Sequence, residues 1–571
     1  MSLTSILTSA SAGLTTAQYQ MAVSQTNVAN ADTAGYSRKT VATTATTPTL
    51  AVSTAAVTRA ADAYLAKTVD KTAAANGRDA IIDTYLQSYD ASLGAVDGGD
   101  DVSSLLTAFQ TALTNLASSS TASTKAAAVS AASSLASSIR SLSGEIQSLR
   151  TQANSEIDET VDTINSTLST LKTLNDQIVS TAASGGDTSD LEDQRASAVT
   201  TLSALIGVTT YTTSDNRVMV YTTGGQQLLG TAAATLSYDA SSALSASATY
   251  PGSISGITVN GQDITTSIST GKLGGLITLR DETLVGEQAA LDQLAASLID
   301  QVNAAANTGS SSPAAASLTS ASTVSATDGF SATGSLRVAV ADSNGAVVST
   351  QDLDLSTYAT VSDLIAGLNA IGGVSASITD GKLVIAATDS ANGVALGDID
   401  ASVSGRGFSD YFGFNDIFSG GSASDIALTS KLAADSSALA TAALDVSGTL
   451  AVGAVAIASG ASATADRISA ALSTEVSFGA VGEMAAGKSS LLNRAAGFVA
   501  SAATLVSDAA TQADTSSDAY DAATTRLSNL TAVNLDEELA QLELYQQAYQ
   551  ANAQLVSMVR DLFDTLMSMV S

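Results

Sequence analysis

The chain has no cysteine, no histidine and no tryptophan among its 571 residues, and only three prolines. Without thiols there are no disulfides. Without thiolate or imidazole, the usual soft metal sites and the commonest nucleophiles and general bases disappear together. A chain free of covalent cross-links can also pass unfolded through a narrow channel. Positive charge is scarce: 23 Lys and Arg face 54 Asp and Glu, and 23 − 54 = −31. That balance repels phosphate backbones, argues against nucleic acid as a partner, and keeps a monomer soluble at high local concentration. No stretch holds eighteen uninterrupted apolar residues, so no membrane insertion is expected. No lysine or arginine precedes Arg38. The apolar N-terminus therefore lacks the charged opening of a cleaved signal peptide, and export, if any, is expected to leave it intact. Aromatics make up 4% of the residues, while alanine, serine and threonine dominate. Such small side chains suit long, slim helical packings, and the length allows two to four domains.

What is present is periodicity, strongest at the two ends. Asn534 is a good N-cap, with Asp536 and Glu537 in the first turn, where carboxylates favour a helix start. Leu542, Tyr545, Tyr549, Asn552, Val556, Val559, Phe563, Leu566 and Val570 then recur at alternating steps of three and four, a heptad seam. At the other end Leu3, Leu7, Ala10, Leu14, Ala17, Met21, Ser24 and Val28 keep the same rhythm. Seams matched in length at opposite termini predict a coiled-coil unit closing the molecule. A helix of about 28 residues measures roughly 40 Å. Ordering more than fifty residues costs on the order of 1–2 kcal/mol each, more than a dozen seam side chains return at roughly 1.5–3 kcal/mol apiece. The ends are therefore expected to order fully only against copies of themselves.

Between the seams, residues 31–60, with Pro48, read as an extended or irregular connector. From 61 to 205 the pattern is helical. Leu135, Ile139, Leu142, Ile146, Leu149, Ala153, Ile157, Val161, Ile164, Leu168, Leu171 and Ile178 form one seam of more than fifty residues, about 80 Å, which belongs to a rod. Asp190, Glu192, Asp193 and Arg195 read as a solvated helix face with ion pairs three and four apart, in preference to a catalytic cluster. Residues 208–280 read as short strands and turns, with Asn260-Gly261 a hairpin signal. The glycines at 271–275 precede a helix but lack phosphate-loop or dinucleotide spacing, and read as a packing turn.

Ser310–Ser322 reads as a linker. Leu336–Val340, Val347–Thr350, a helix near Thr360–Ile371, Val374–Ile378 and Lys382–Ala386 then make a β-β-α-β-β unit. Asp380-Gly381 is its second hairpin turn, and Thr360 and Asp363 sit at capping-box spacing. Phe408–Phe418 concentrates aromatics. It reads as a plug tying this unit to the body, with an aromatic ligand site as the sharper alternative. Helical periodicity returns from Ile426 to Leu530 (Leu432, Leu439, Leu444, Ile468, Leu472, Leu491, Phe498), interrupted at Val446–Thr464.

The run Thr26-Asn27-Val28-Ala29-Asn30-Ala31-Asp32-Thr33-Ala34-Gly35-Tyr36-Ser37-Arg38 resembles the N-terminal signature of bacterial flagellar rod, hook and hook-associated proteins. Val533-Asn534-Leu535-Asp536-Glu537-Glu538 with Tyr549-Gln550-Ala551-Asn552 resembles their closing helix. Internal matches (Leu174–Ile178 with Asp190–Arg195, and the Phe-Gly-Phe-Asn at 412–415) point to the FlgK family, the junction subunits between hook and filament. Asn303–Asn307 departs from the family pattern, as does the stretch at 446–464. The resemblance implies a mainly α, elongated rod with β-rich inserted domains: terminal helices (1–60 and 530–571) paired as a coiled coil, a helical rod (61–310 and 425–529), and an inserted outer α+β domain (311–424). It implies an extracellular structural subunit with neither catalysis nor cofactor. Its expected partners are itself, the hook protein, the next junction protein on the filament side, an export chaperone at the C-terminal helix, and the flagellar type III export apparatus. A polymer interface is expected at Leu3, Leu7, Leu14, Met21, Val28, Leu542, Tyr545, Tyr549, Val556, Val559, Phe563, Leu566 and Val570. Signature residues are Asn27, Asn30, Gly35, Tyr36, Asn534, Leu535, Asp536 and Glu537. A hook or filament subunit, or a secreted adhesin using the inserted domain, stands as the alternative, and an enzyme is the weakest reading.

Overall fold

The computed structural model describes residues 2–46, 51–94, 98–458 and 460–570; Pro48 lies outside them, and Val570 is described in its backbone alone. In chain order the helices are α1 (Leu3–Ala29), α2 (Ala63–Leu93), α3 (Val102–Ser118), α4 (Ala122–Ala183), α5 (Ser189–Leu205), α6 (Gly271–Thr278) and α7 (Leu284–Ala306). They continue with α8 (Val361–Asn369), α9 (Phe408–Phe412), α10 (Ser430–Ala434), α11 (Ala463–Ser473), α12 (Leu491–Thr531) and α13 (Leu535–Val570).

The rod is organised on α4, a single helix of 62 residues, about 93 Å at 1.5 Å per residue. Thr121 and Thr124 open it with a reciprocal capping box, satisfying amides that the first turn leaves free. All twelve predicted seam positions from Leu135 to Ile178 are buried. The helices α2, α3, α5, α6 and α7 pack around it, and α12 returns along α2. The glycine cluster is a close-packing device. A Cβ on Gly275 would fall 2.7 Å from the Arg78 carbonyl oxygen, and one on Gly274 2.7 Å from the Ser269 carbonyl carbon. Two fully buried arginines fasten the loop beside α4: Arg150 donates to the carbonyls of Arg280, Ser245 and Ala248, and Arg280 pairs with Asp281.

The expected hairpins form. Asn260-Gly261 and Asp380-Gly381 both take positive φ at both residues, the twist that tight hairpins need. Residues 39–46 and 51–59 are more regular than a connector: the strands β1 (Lys39–Thr46) and β2 (Ala51–Arg59) pair antiparallel. A two-stranded ribbon is marginal alone, and this one lies against α1.

Two readings of the middle of the chain are corrected. Ser317–Thr323 is a strand paired with Lys382–Ala387, not part of a linker. Its serines and threonines alternate with Leu318, which is buried, and the neighbouring strand overrides their loop-like composition. The inserted unit holds two three-stranded antiparallel sheets. One adds Ser317–Thr323 to the predicted second pair. The other places Ser335–Ala341 between Val347–Asp354 and Gly393–Asp398, a strand that the pattern did not signal. Thr360 and Asp363 cap α8 reciprocally as read. The second correction concerns Leu439 and Leu444, neither of which lies on a helix. Residues 440–458 form a strap whose Ala442, Leu444, Ala456 and Ile457 cover Ala339, Val347 and Ala395 on the outer face of the sheet centred on Ser335–Ala341. The Val347 amide donates to the Ala454 carbonyl and the Val347 carbonyl accepts in return from the Gly453 amide, which holds the strap on the sheet.

Phe408, Phe412 and Phe414 fill the core of the insert, whereas Phe418 belongs to the core of the rod and meets Phe109 edge-on at 6.0 Å. The run is the plug between the two. Asn303 and Asn307, in the stretch that departs from the family pattern, clamp it from α7. The Asn303 amide donates to Phe418 O at 2.8 Å and accepts from the amides of Ile417 and Phe418, and Asn307 accepts from the Asn415 amide and donates to Asp416 at 2.6 Å. Burial pushes the carboxyls of Asp416 and Asp398 up to about 6. An acid with a raised value binds its proton more tightly folded than unfolded, so the insert and its joint gain stability as pH falls from about 6 toward about 4. Denaturation curves at pH 7 and 5 should show this rise. Asp398→Asn and Asp416→Asn should each flatten it by up to about 1.4 kcal/mol per pH unit; equal slopes in all three proteins would contradict the assignment.

Candidate functional site

The first and last helices pack against each other antiparallel. Ser24 Oγ donates to the Glu538 carboxylate, and a Cβ on Gly13 would fall 2.7 Å from Asn552 Oδ1. Glycine at that position lets the two backbones approach where Asn552 crosses. The structure brings the expected seam residues together: Leu3, Leu7, Leu14, Met21 and Val28 are half-buried on one face of α1, with Ala10, Ala17 and Ser24 buried between them. On α13, Leu542, Tyr545, Tyr549 and Val556 are half-buried and Val559 is buried. The lengths do not match. The helix α1 has 27 residues and α13 has 36, so in this register α13 runs past the start of α1. Phe563 and Leu566 lie on that overhang, 37% and 42% exposed.

Beneath the helix pair, the signature residues build the joint to the rod. Asn27 is buried; its amide donates to the Lys39 carbonyl at 2.9 Å and accepts from the Lys39 amide at 3.0 Å and from the Tyr36 hydroxyl at 2.9 Å. The carboxamide supplies both polarities from one side chain, so Asn27 fixes where β1 begins. Asn30 caps α1 and donates to the Thr26 carbonyl. Gly35 takes φ +79°, the left-handed turn that returns the chain. Asn534 accepts from the amides of Asp536 and Glu537, capping α13 as read. Glu537 pairs with Arg38 at 2.9 Å, and Leu535 is exposed beside them.

The acidic stretch on α5 is the partner of this signature, which corrects the reading of a solvated face. Asp193 is buried and accepts from the Ser37 amide (3.1 Å), the Ser37 hydroxyl (2.7 Å) and Arg59 Nη1 (2.9 Å). Glu192 accepts from Arg59 Nε, and Asp190 pairs with the buried Lys39 ammonium. Arg195 is turned inward onto Asn175 and Asn216. Helical spacing alone put these groups on one face; the basic residues at 39 and 59 across the sequence are what turn that face toward the hairpin. Burial lowers the Lys39 ammonium below its ordinary value, opposed by Asp193 and Asp187, and Lys39 sits 4.5 Å from the centre of the Tyr36 ring. Burial, aided by Asp193 and Glu538, pushes the Tyr36 hydroxyl up to about 12, so it stays a donor to Asn27. The arrangement holds and orients. Among the described residues no group of three or more acidic side chains could hold a metal ion, and no helix is long and apolar enough to cross a membrane.

Residues 87–315 match the family model of the flagellar hook-associated protein FlgK helical domain, and residues 529–569 that of the flagellar basal body rod FlgEFG protein C-terminal region. The flagellar hook junction protein FlgK from Burkholderia pseudomallei is similar over 81% of this chain and 99% of its own, with a TM-score of 0.49 and 19% identity. No curated protein sequence matches the chain. A rod-type closing helix paired with α1 and joined to a long helical domain defines a structural protein of the bacterial flagellum. Within that class residues 87–315 carry a helical domain of the FlgK type.

Asp193→Ala removes one acceptor from three donors, two of them on the buried Ser37. It should cost about 3 kcal/mol at this joint. Hydrogen exchange should speed up in β1, β2 and the last turn of α1 while the centre of α4 keeps its protection; unchanged exchange in the hairpin would rule out the role given to Asp193.

Proposed function

We propose that this protein is a structural subunit joining hook to filament in the bacterial flagellum, and that copies assemble through their paired terminal helices. The single observation that carries the reading is the α13 seam, which continues past its partner α1 and leaves Phe563 and Leu566 exposed on a formed helix. Large apolar side chains held in register on an exposed helix face favour association with a partner. On this reading the rod forms a wall, and the inserted unit with its strap stands outside the packing. The neighbours are further copies, the hook protein on one side and the next junction protein on the other. The subunit reaches its extracellular place through the flagellar type III export apparatus. Before export the α13 stripe is shielded by a chaperone that accepts a helix in a groove. Burying three large anchors at roughly 1.5–3 kcal/mol each supports micromolar binding after association costs.

Replacing Phe563 and Leu566 together by Asp should abolish both chaperone capture and assembly. Circular dichroism and the thermal transition of the rod should stay as in the parent, because both residues lie outside the rod and insert cores. A double variant that still joins hook to filament would overturn the proposed role of the seam.

A further inference from the structure

The helix α13 carries a second apolar stripe that no described part of its own chain covers. Leu544, Leu555, Met558, Leu562 and Met569 are between 41% and 73% exposed, and Ala548 and Ala551 fill the intervening steps. Each stripe position precedes a residue of the first seam by one, so the two stripes lie about 100° apart around the helix. No charged side chain from Ala540 onward falls on the second stripe. Glu543, Arg560, Asp561 and Asp564 all point away from it at helical spacing. A helix with two seams at this angle packs between two neighbours at once, and α1 of the same chain takes the first.

The complementary surface is the outer face of α1. In a chain of net charge −31, this 27-residue helix has no charged residue. Three of its exposed threonines have already spent their hydroxyls within the helix: Thr8 donates to the Thr4 carbonyl at 2.9 Å, Thr15 to Ser11 at 3.1 Å and Thr26 to Ala22 at 3.0 Å. Burying this face strands no charge and leaves these three donors satisfied, and its alanines, serines and threonines leave room for leucine and methionine between them. We propose that the second stripe of α13 docks on the outer face of α1 of a second copy. This deepens the reading that copies assemble through their termini and rests on it. The contact joins two different faces, so each copy offers one of each and the pairing propagates into a ring or an open helical array. A contact between two α13 stripes would instead close as a dimer and leave the uncharged face of α1 in water.

The absence of cysteine makes a direct test available. Cells are made to produce two single-cysteine full-length chains of different tag size. One carries Thr8→Cys, Thr15→Cys or Ala22→Cys on the outer face of α1; the other carries Leu544→Cys, Leu555→Cys or Leu562→Cys on the stripe. Assemblies are isolated and oxidised. A disulfide needs Cα atoms within roughly 7 Å, so at least one α1–α13 combination should give a mixed dimer band that Asp561→Cys paired with the same α1 variants does not. Assemblies that yield only α13–α13 dimers, or no dimer in any combination, would overturn the proposal while leaving assembly through the termini standing. A chain lacking residues 3–29 that still assembles would overturn that underlying reading as well.

Discussion

The two ends of the chain must meet. Once α1 and α13 are committed to an antiparallel pair, everything between Ala29 and Leu535 has to leave one end of the pair and come back to it. The long helix α4 provides the length of the rod, and α12 returns along α2 to deliver the chain to Asn534. The inserted sheets interrupt this path between α7 and α11, at a place where neither the terminal pair nor α4 is disturbed. Small side chains make such a slim body possible: glycines at α6 and alanines along α2 and α12 let helices lie close, and aromatic bulk is densest where the insert joins the rod.

A pair of helices alone would swing freely on two connecting strands. What orients it is the polar joint around Asn27 and Asp193. The Asn27 carboxamide sets the start of β1, Ser37 and Arg59 converge on Asp193, and Arg38 reaches across to Glu537 on α13. First helix, hairpin, rod and last helix are thereby tied at one place. Several of these groups are buried, so loss of one member leaves others unsatisfied. The asparagine, glycine and tyrosine of the N-terminal signature thus have separate mechanical duties: amide clamp, left-handed turn, and hydroxyl donor over a buried lysine.

The elements with a strong local period were legible in the sequence. The α4 seam, both terminal seams, the capping boxed α8 and the two hairpins with Asn-Gly and Asp-Gly all depend on neighbours within a few residues. What escaped depends on partners far along the chain. Ser317–Thr323 is a strand because Lys382–Ala387 lies beside it, and residues 440–458 are extended because a bare sheet face needs cover. Asp190, Glu192 and Asp193 had the spacing of a solvated face, and nothing local revealed that Lys39 and Arg59 come to meet them. The overhang of α13 was hidden for a related reason: two seams of similar period gave similar lengths, and only the register set by Ser24 and Glu538 shows which one runs on.

The central claim is that the terminal pair is completed by neighbouring copies and not by its own chain. Hydrogen exchange compared between monomer and assembly tests it most directly. The account predicts fast exchange in α13 beyond Val559 and in the first turns of α1 in the monomer, slow exchange in both once assembled, and α4 slow in both states. Equal protection of the two termini in a verified monomer and in the assembly would contradict it.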